Sequence, residues 1–169
     1  MLIDVSYFVS GLRHIQNASM SKTAGADSVA VNGHIESYIK ELQPVFLDAM
    51  LGEKEASYAM DYLEMPNDEE DKSDEPSKYE VVCERLKEPF ADYVLYHILR
   101  DASSQVTITG NVRLKSANEY ISPMRAQVTA WNRMVGANVK FIQWAQEGNC
   151  PIPLVTQVNM LNRINQFNL

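Results

Sequence analysis

Residues 79–100, YEVVCERLKEPFADYVLYHILR, decide the fold class, because their apolar side chains recur at steps of three and four residues. The recurring positions are Val82, Leu86, Phe90, Tyr93, Val94, His97 and Ile98. This spacing puts them on one face of an α-helix, which another element of the fold has to cover. Pro89 lies inside the pattern, and we expect it to kink the helix.

A second amphipathic helix is predicted upstream, from Ser28 onward. Asp27 or Ser28 is suited to its N-cap, and Gly52 is suited to its end. Pro44 predicts a kink or break near Gln43, after which the helix restarts. The apolar stripe of this helix consists of Val31, Ile35, Tyr38, Ile39, Leu42, Val45, Phe46 and Ala49.

Two further helices complete the helical pattern. Residues 53–63 predict a short one, with Ala56, Ala59, Met60 and Leu63 on one side. Downstream, Ser122 and Pro123 are typical of the N-cap and first position of a long helix that reaches about Gln146 and is ended by Gly148. Its predicted stripe consists of Val128, Trp131, Val135, Asn138, Ile142 and Ala145.

The segment QVTITGNVRLK, residues 105–115, changes to a period of two. Its alternating residues lie on either side of Gly110-Asn111, a two-residue turn sequence, and predict a β-hairpin. Residues 1–25 show no sustained period, so we expect only a short helical turn around residues 6–11. The predicted class is mainly α: a helical bundle of three to four main helices with one inserted β-hairpin and extended terminal arms.

The 169 residues suffice for about one domain. We expect a single helical domain over residues 1–149 and an extended C-terminal arm over residues 150–169. The apolar runs are far shorter than the roughly 20 residues that cross a bilayer, and the N-terminal sequence lacks a signal-peptide pattern, so neither a membrane span nor secretion is expected. Cys83 and Cys150 have no CxxC spacing, which indicates neither a disulfide framework nor a zinc site and favours a reducing, intracellular compartment.

The formal net charge of −7 is concentrated in one part of the chain. Residues 53–80 hold eleven acids against three lysines, a net of −8, so the remainder stands at +1. Residues 65–77, MPNDEEDKSDEPS, predict an exposed acidic loop. From Gln105 to the end, six basic residues and two acids give a net of +4. The chain has no dense basic stretch, and we expect no specific binding of DNA.

No catalytic or metal-binding pattern is found in the sequence. A GxSxG turn is missing, and Cys83 reads as a small core residue on a helix. His14, His34 and His97 lie on separate elements without HxxxH or HExxH spacing, and His97 is interpreted as a hydrogen-bonded core or interface residue. The acidic run lacks the glycine of a calcium-binding loop. We therefore expect no enzyme activity, no cofactor and no metal.

Three stretches resemble a known family of virion proteins. They are HIESYIKELQPVFLDAMLGEKEASYAMDYL (residues 34–63), FADYVLYHILRDASSQVTITGNVRLKSANEYIS (residues 90–122) and SPMRAQVTAWNRMVGANVKF (residues 122–141). In their order and spacing, the chain is similar to the head-tail connector, or adaptor, proteins of tailed phages, particularly the divergent versions in phages and prophages of Bacteroidetes. The likeness covers about residues 34–145, while the acidic loop 65–77 and the tail from Cys150 depart from the smaller members.

The resemblance implies a structural protein of the virion, assembled in the host cytoplasm. Such proteins form a homo-oligomeric ring beneath the capsid portal and connect it to the tail. Their helices form a wedge, and their loops and terminal arms contact neighbouring subunits, the portal protein and the next tail component. DNA passes nearby, and a ring around its passage should not grip phosphate.

Residues 105–120 and the C-terminal arm are the hypothetical assembly surfaces, because both carry apolar residues that a small bundle has difficulty burying. The candidate interface residues are Val106, Ile108, Val112, Arg113, Leu114, Tyr120, Pro151, Ile152, Leu154, Val155, Met160, Leu161, Ile164 and Phe167. Two alternatives stay open: another tail-completion or stopper component of the virion, and a small helical bacterial ligand-binding protein or enzyme.

Overall fold

The computed structural model describes residues 1–21, 23, 25–65, 77–102, 104–107, 110–113 and 123–165, with the backbone alone for 104–107, 110–113 and 123. Four α-helices lie in these residues: α1 (Ala26–Leu51), α2 (Glu53–Glu64), α3 (Lys78–Ala102) and α4 (Pro123–Trp144). The predicted mainly α class is confirmed. Most of the predicted acidic loop, residues 66–76, lies outside the described part of the chain.

The N-terminal segment is part of the core rather than a loose arm. Two short 3₁₀ turns, Val5–Phe8 and Gly11–Arg13, occupy the region where a short helical turn was expected. The side chain of Asp4 caps the first turn by accepting the N–H of Ser6 at 2.9 Å. Leu2, Ile3, Val5 and Phe8 are buried, so this segment covers the helices with its apolar side chains.

Helix α1 begins two residues before the predicted start. Gly25 occupies the N-cap without a side-chain hydrogen bond, so neither Asp27 nor Ser28 serves as the cap. Asp27 instead lies in the first turn, where a carboxylate interacts favourably with the helix dipole. The predicted end is confirmed: Gly52 has φ of 81°, a conformation that favours glycine, and its N–H bonds to the carbonyl of Asp48 at 2.9 Å.

Neither proline inside the helices interrupts them. The predicted break near Gln43 is wrong, because α1 continues through Pro44, and α3 likewise continues through Pro89. A proline deprives the carbonyl four residues earlier of its hydrogen bond. Those residues are Lys40 and Arg85, and both are exposed. Burial of the apolar faces of α1 and α3 holds both helices together across these positions.

Helices α3 and α4 run antiparallel along each other. Arg85 near the start of α3 stacks on Trp144 at the end of α4, with 4.3 Å from the guanidinium carbon to the ring centroid. At the opposite end, the side-chain amide of Gln127 donates to the carbonyl of Leu99 at 2.9 Å. Helix α1 packs on α2 and α3, and the ring of Phe46 lies 5.2 Å from that of Phe90 in the centre of the core.

The buried face of α4 is rotated from the predicted stripe. The buried positions are Gln127, Ala130, Met134, Val135, Asn138 and Phe141. Of the predicted stripe only Val135 and Asn138 are fully buried, while Trp131 and Ile142 lie at its partly covered margin. Hydrophobicity alone gave the wrong rotation, because Gln127 is buried through its hydrogen bond. The helix ends at Trp144 and passes into a wider, π-type turn over Ala145–Asn149, in which Gly148 has φ of 81°.

Two short strands lie between α3 and α4. Strand β1 (Ser104–Thr107) pairs antiparallel with β2 (Gly110–Arg113), and Thr107 is opposite Gly110. The predicted turn at Gly110-Asn111 is therefore wrong, since both residues belong to β2; positions 108 and 109 between the strands lie outside the described residues. A period of two does not fix where the chain turns, and Gly-Asn is a less specific signal than Asn-Gly.

The C-terminal arm folds back onto its own helices as far as residue 165. The hydroxyl of Thr156 donates to the carbonyl of Met50 at 2.8 Å, and the N–H of Gln157 donates to the carbonyl of Ala49 at 2.8 Å. These carbonyls belong to the last turn of α1, where backbone carbonyls have no hydrogen-bond donors within the helix. Asn138 on α4 donates to the carbonyl of Met160 at 2.9 Å. The arm thus provides hydrogen-bond donors for the end of α1 and covers part of α4.

Candidate functional site

A nearly buried carboxylate, Asp92 on α3, holds two arginines from distant parts of the chain. Arg13 from the N-terminal segment donates to both of its oxygens, at 2.7 Å from Nε and 3.1 Å from a terminal nitrogen. Arg133 from α4 donates to Oδ1 from Nε at 2.9 Å and also from a terminal nitrogen. Asp92 is 2% exposed, so its charge requires these partners.

The Arg13 guanidinium has a second acidic neighbour, Glu88, one turn before Asp92 on α3. It forms an ion pair with the Glu88 carboxylate and also contacts the Glu88 carbonyl at 3.4 Å. Burial acts to lower the pKa of Arg13, but the hydrogen bonds and negative charges of Asp92 and Glu88 together outweigh it, and the pKa lies above its ordinary value. Arg13 therefore stays charged and is fixed in direction by two carboxylates.

These residues form one wall of a groove of about 640 Å³, which we call the basic groove. Lys140 on α4 and Arg163 on the C-terminal arm complete its charged lining. The groove carries four cations (Arg13, Arg133, Lys140 and Arg163) against two anions (Glu88 and Asp92), so its lining has a net charge of 4 − 2 = +2. Lys140 and Arg163 form no ion pair with any residue that the structure describes.

The position of Arg163 is set by a reciprocal pair of hydrogen bonds next to it. The side-chain amide of Asn132 donates to the carbonyl of Ile164 at 2.9 Å, and the N–H of Ile164 donates to the Asn132 oxygen at 2.9 Å. Trp131 adds a bond from its indole N–H to the carbonyl of Asn162 at 2.8 Å. The arm is thereby held along α4 on both sides of Arg163, and its guanidinium is available for an anionic partner.

Sequence reasoning did not identify the basic groove. Its one local signal is Asp92 in the apolar run FADYVLY, because a lone acid on a buried helical face needs a cationic partner. The partners could not be named from spacing, since Arg13 lies 79 positions away and Arg133 lies 41 positions away.

The predicted interface residues of the inserted segment are described only in part. Val106, Val112 and Arg113 lie in the backbone of β1 and β2, where Val106 pairs with Asn111 and Arg113 with Ser104. Four other candidates lie outside the described residues: Ile108, Leu114, Tyr120 and Phe167.

The predicted interface residues of the arm separate into two groups. Ile152 and Met160 are buried in the chain's own core, so the expectation that they lie on an assembly surface is corrected: the bundle does bury them. Leu154, Leu161 and Ile164 are partly buried, and Pro151 is exposed. Val155 is 70% exposed and is the strongest remaining candidate of this group. Val158, three residues further along the arm, is 71% exposed and was not among the predicted interface residues.

Cys83 is buried in the core, as the sequence indicated, whereas His97 is half-buried. His97 contacts the ring of Tyr93 edge-on, with 4.6 Å between centroids, and its Nε2 has no hydrogen-bond partner among the described residues, which corrects the expectation of a hydrogen-bonded histidine. Burial, with Arg100 nearby, lowers the pKa of His97 to about 4. Burial raises the pKa of the Cys83 thiol to about 11, so at neutral pH it is protonated and a poor nucleophile.

Within the described ranges, no group of three or more His, Cys, Asp or Glu side chains is placed to hold a metal ion. None of the helices described is long and apolar enough to cross a membrane. Comparisons with family models, curated proteins and solved structures found no match for this chain.

Proposed function

We propose that the chain is a structural protein of a tailed-phage virion, a head-tail adaptor that forms a homo-oligomeric ring between the capsid portal and the tail. The observation that carries the proposal is the order α3, β1, β2, α4: a strand pair inserted between two helices that pack against each other. The three stretches that resemble the adaptor family contain most of α1 with α2, the second half of α3 with the strands, and the greater part of α4.

The placement of the strands supports a role in contacts between subunits. Strand β1 begins at Ser104, two residues after α3 ends at Ala102, at the end of the helix pair where Leu99 meets Gln127. An isolated two-stranded pair is marginally stable in water. In our proposal the predicted hairpin protrudes from this end of the bundle and gains stability from a neighbouring subunit or from the portal protein.

The exposed side of the C-terminal arm is the second proposed contact. Val155 and Val158 are 70% and 71% exposed on a segment whose backbone is fixed to α1 and α4. Apolar side chains presented on a fixed backbone lose little freedom on binding, which favours a docking role. The partners in this proposal are further copies of the chain, the portal protein and the next tail component.

Quantitative mass spectrometry of purified virions from the source tests the proposal. The expected result is this chain in the particle at the same copy number as the portal subunit, with a major capsid protein as the internal standard. A stable copy number that differs from the portal's, with cross-links to tail proteins alone, would favour the stopper or tail-completion alternative. Absence of the chain from the particles would refute a structural virion role.

A second experiment tests the arm by substitution rather than deletion, since deletion would remove the buried Ile152 and Met160 as well. The double variant Val155→Asp, Val158→Asp should fold normally and fail to enter particles when it is supplied in place of the native chain. Val29→Asp is the control for a carboxylate at an exposed apolar position, because Val29 is 63% exposed near the start of α1, whereas the arm bonds to the end of that helix. Equal incorporation of the double variant and the control would remove the arm from the proposed interface.

A further inference from the structure

The basic groove keeps two positive charges after its own ion pairs are counted. Its two carboxylates are both bonded to arginines of the same groove. The two other cations of the lining, Lys140 and Arg163, form no ion pair with any residue that the structure describes, and both side chains are exposed. A ligand with about two negative charges would therefore complete the charge balance of the groove.

Arg133 provides a third donor in a fixed position. Its Nε and one terminal nitrogen bond to Asp92, while its other terminal nitrogen bonds to no residue among those described. The side chain is 27% exposed and lines the groove. Because Asp92 already orients this guanidinium, a ligand that binds it loses little affinity to the ordering of the side chain.

Helix α4 places these cations around a glycine. Gly136 follows Arg133 by three positions and Lys140 follows Gly136 by four, so the three residues are neighbours on the surface of the helix. A helical side chain leans towards the N-terminus of its helix, which carries Lys140 over the turn that contains Gly136. The backbone next to Arg163 bonds to the side chain of Asn132, four positions before the glycine. Gly136 thus lies between two of the cations along the helix, and the third lies beside the preceding turn.

The packing of the chain does not explain why position 136 is a glycine. Glycine in the interior of a helix destabilises it relative to alanine. Apart from the helix's own backbone, no atom of the described residues lies within 4 Å of the place that a Cβ would take at Gly136. A glycine at such a position does allow another molecule to approach the helix backbone closely. It therefore indicates that the wall of the groove is kept open for a ligand.

We propose that the basic groove binds a dianionic phosphate group, either inorganic phosphate or the phosphate of a small phosphorylated molecule. A phosphate monoester carries a charge of about −1.5 to −2 at pH 7 and three acceptor oxygens, which match the two unpaired cations and the three donors Arg133, Lys140 and Arg163. A carboxylate carries a single charge and would leave one cation unpaired. The groove, at about 640 Å³, also has room for an organic group beside Val139 and Gln143. This site goes beyond the proposed function, because it concerns a ligand of the single chain.

Titration of the purified full-length protein with inorganic phosphate tests the site. Two-dimensional NMR at pH 7 and low salt follows the backbone amides and the arginine side chains. The native chain should show saturable shifts at the Gly136 amide and the Arg133 guanidinium. The groove variant, Lys140→Gln with Arg163→Gln, leaves Asp92 and its two arginines intact. It should bind phosphate at least about tenfold more weakly, since the loss of one charge-assisted hydrogen bond alone has an effect of about that size.

Matched controls separate the site from net charge and from helix stability. Lys40→Gln with Lys54→Gln makes the same change of charge at two exposed lysines on α1 and α2 outside the groove and should bind phosphate like the native chain. Gly136→Leu should not lower the thermal midpoint, because leucine is the better helix former, but its side chain should obstruct the groove and abolish saturable binding. Gly33→Leu is its control: Gly33 is an interior glycine of α1 with the same open space at its Cβ position, and this variant should bind normally.

Two organic phosphates identify the source of the group. Tighter binding of phenyl phosphate than of inorganic phosphate would assign the site to a phosphorylated small molecule, and equal or weaker binding would assign it to inorganic phosphate. Dimethyl phosphate, a diester with a single charge, should bind more weakly than either.

Four results would overturn the proposal. They are a native chain without saturable shifts, a groove variant that binds phosphate as well as its charge control, a Gly136→Leu variant that binds as well as Gly33→Leu, and dimethyl phosphate that binds as tightly as phenyl phosphate. Salt-sensitive binding of duplex DNA that the groove variant abolishes would also overturn it, because the groove would then be a nucleic-acid surface. None of these results bears on the copy number in virions, so the adaptor proposal can fail or stand independently.

Discussion

Replacing Asp92 by Asn tests whether the cluster around this residue holds the N-terminal segment to the helices. The substitution preserves the size of the side chain and removes its charge. Arg13 and Arg133 then lose the anion that receives at least four of their hydrogen bonds. We expect the variant to fold with the same helix content, lower stability and a loosened N-terminal segment.

The magnitude follows from the burial of the groups. A hydrogen bond to a charged group contributes about 1.5–3 kcal/mol, and breaking a fully buried ion pair costs about 3–5 kcal/mol. The side chains of Arg13 and Arg133 are 18% and 27% exposed, so water takes over part of the lost solvation, and Arg13 keeps Glu88. We therefore expect a loss of about 2–4 kcal/mol, a large share of the about 5–15 kcal/mol typical of a domain.

Urea denaturation at pH 7, followed by far-ultraviolet circular dichroism, measures the loss. Hydrogen exchange should show the largest increase at residues 5–15, since Arg13 is the charged anchor of that segment. Glu88→Gln is the matched control: the Glu88 carboxylate is 63% exposed, and removing an exposed ion pair should cost less than about 1 kcal/mol. A loss for Asp92→Asn that equals the control, or exchange that increases uniformly, would refute the anchoring role.

Three further outcomes are expected. The free energy of unfolding should fall by up to about 3 kcal/mol as the pH drops from about 6.5 to 4. The reason is that His97 binds a proton in the unfolded chain over this range, whereas in the folded chain its pKa is about 4. His97→Gln should flatten this part of the pH profile of urea midpoints. Cys83 should react with a thiol reagent at pH 8 far more slowly than Cys150, and mass spectrometry of the labelled peptides would expose an error if the two rates match. Deleting residues 150–169 should lower the thermal midpoint strongly, since Ile152 and Met160 leave the core; an unchanged midpoint would show that the arm is peripheral.

The helices could be predicted from the sequence because each depends on neighbours within the same segment. The period of apolar residues located α1, α2 and α3, and Gly52 marked the junction of the first two. The rotation of α4 could not be predicted from hydrophobicity, since Gln127, outside the predicted stripe, is buried through a hydrogen bond to the carbonyl of Leu99. A polar residue can be buried when an acceptor elsewhere in the fold forms a hydrogen bond with it, and the hydrophobicity of the segment does not reveal that acceptor.

The packing partner of the C-terminal arm could not be predicted from the sequence either. The apolar residues of the arm indicated that it packs against another surface. The structure shows that this surface is on the same chain, where the arm donates hydrogen bonds to the carbonyls of Ala49 and Met50 at the end of α1. Because a single chain can satisfy this need, most of the apolar residues of the arm contribute to folding. The exposed remainder, led by Val155 and Val158, is what an assembly partner can still bind.

The basic groove depends on the packing of both ends of the chain. Its cations come from both ends of the chain, Arg13 from the N-terminal segment and Arg163 from the C-terminal arm, and from α4 between them. The N-terminal contribution depends on Asp92 and the C-terminal one on Asn132, so the charges converge only when both ends are packed on α3 and α4. A chain that has yet to finish folding therefore lacks the complete groove.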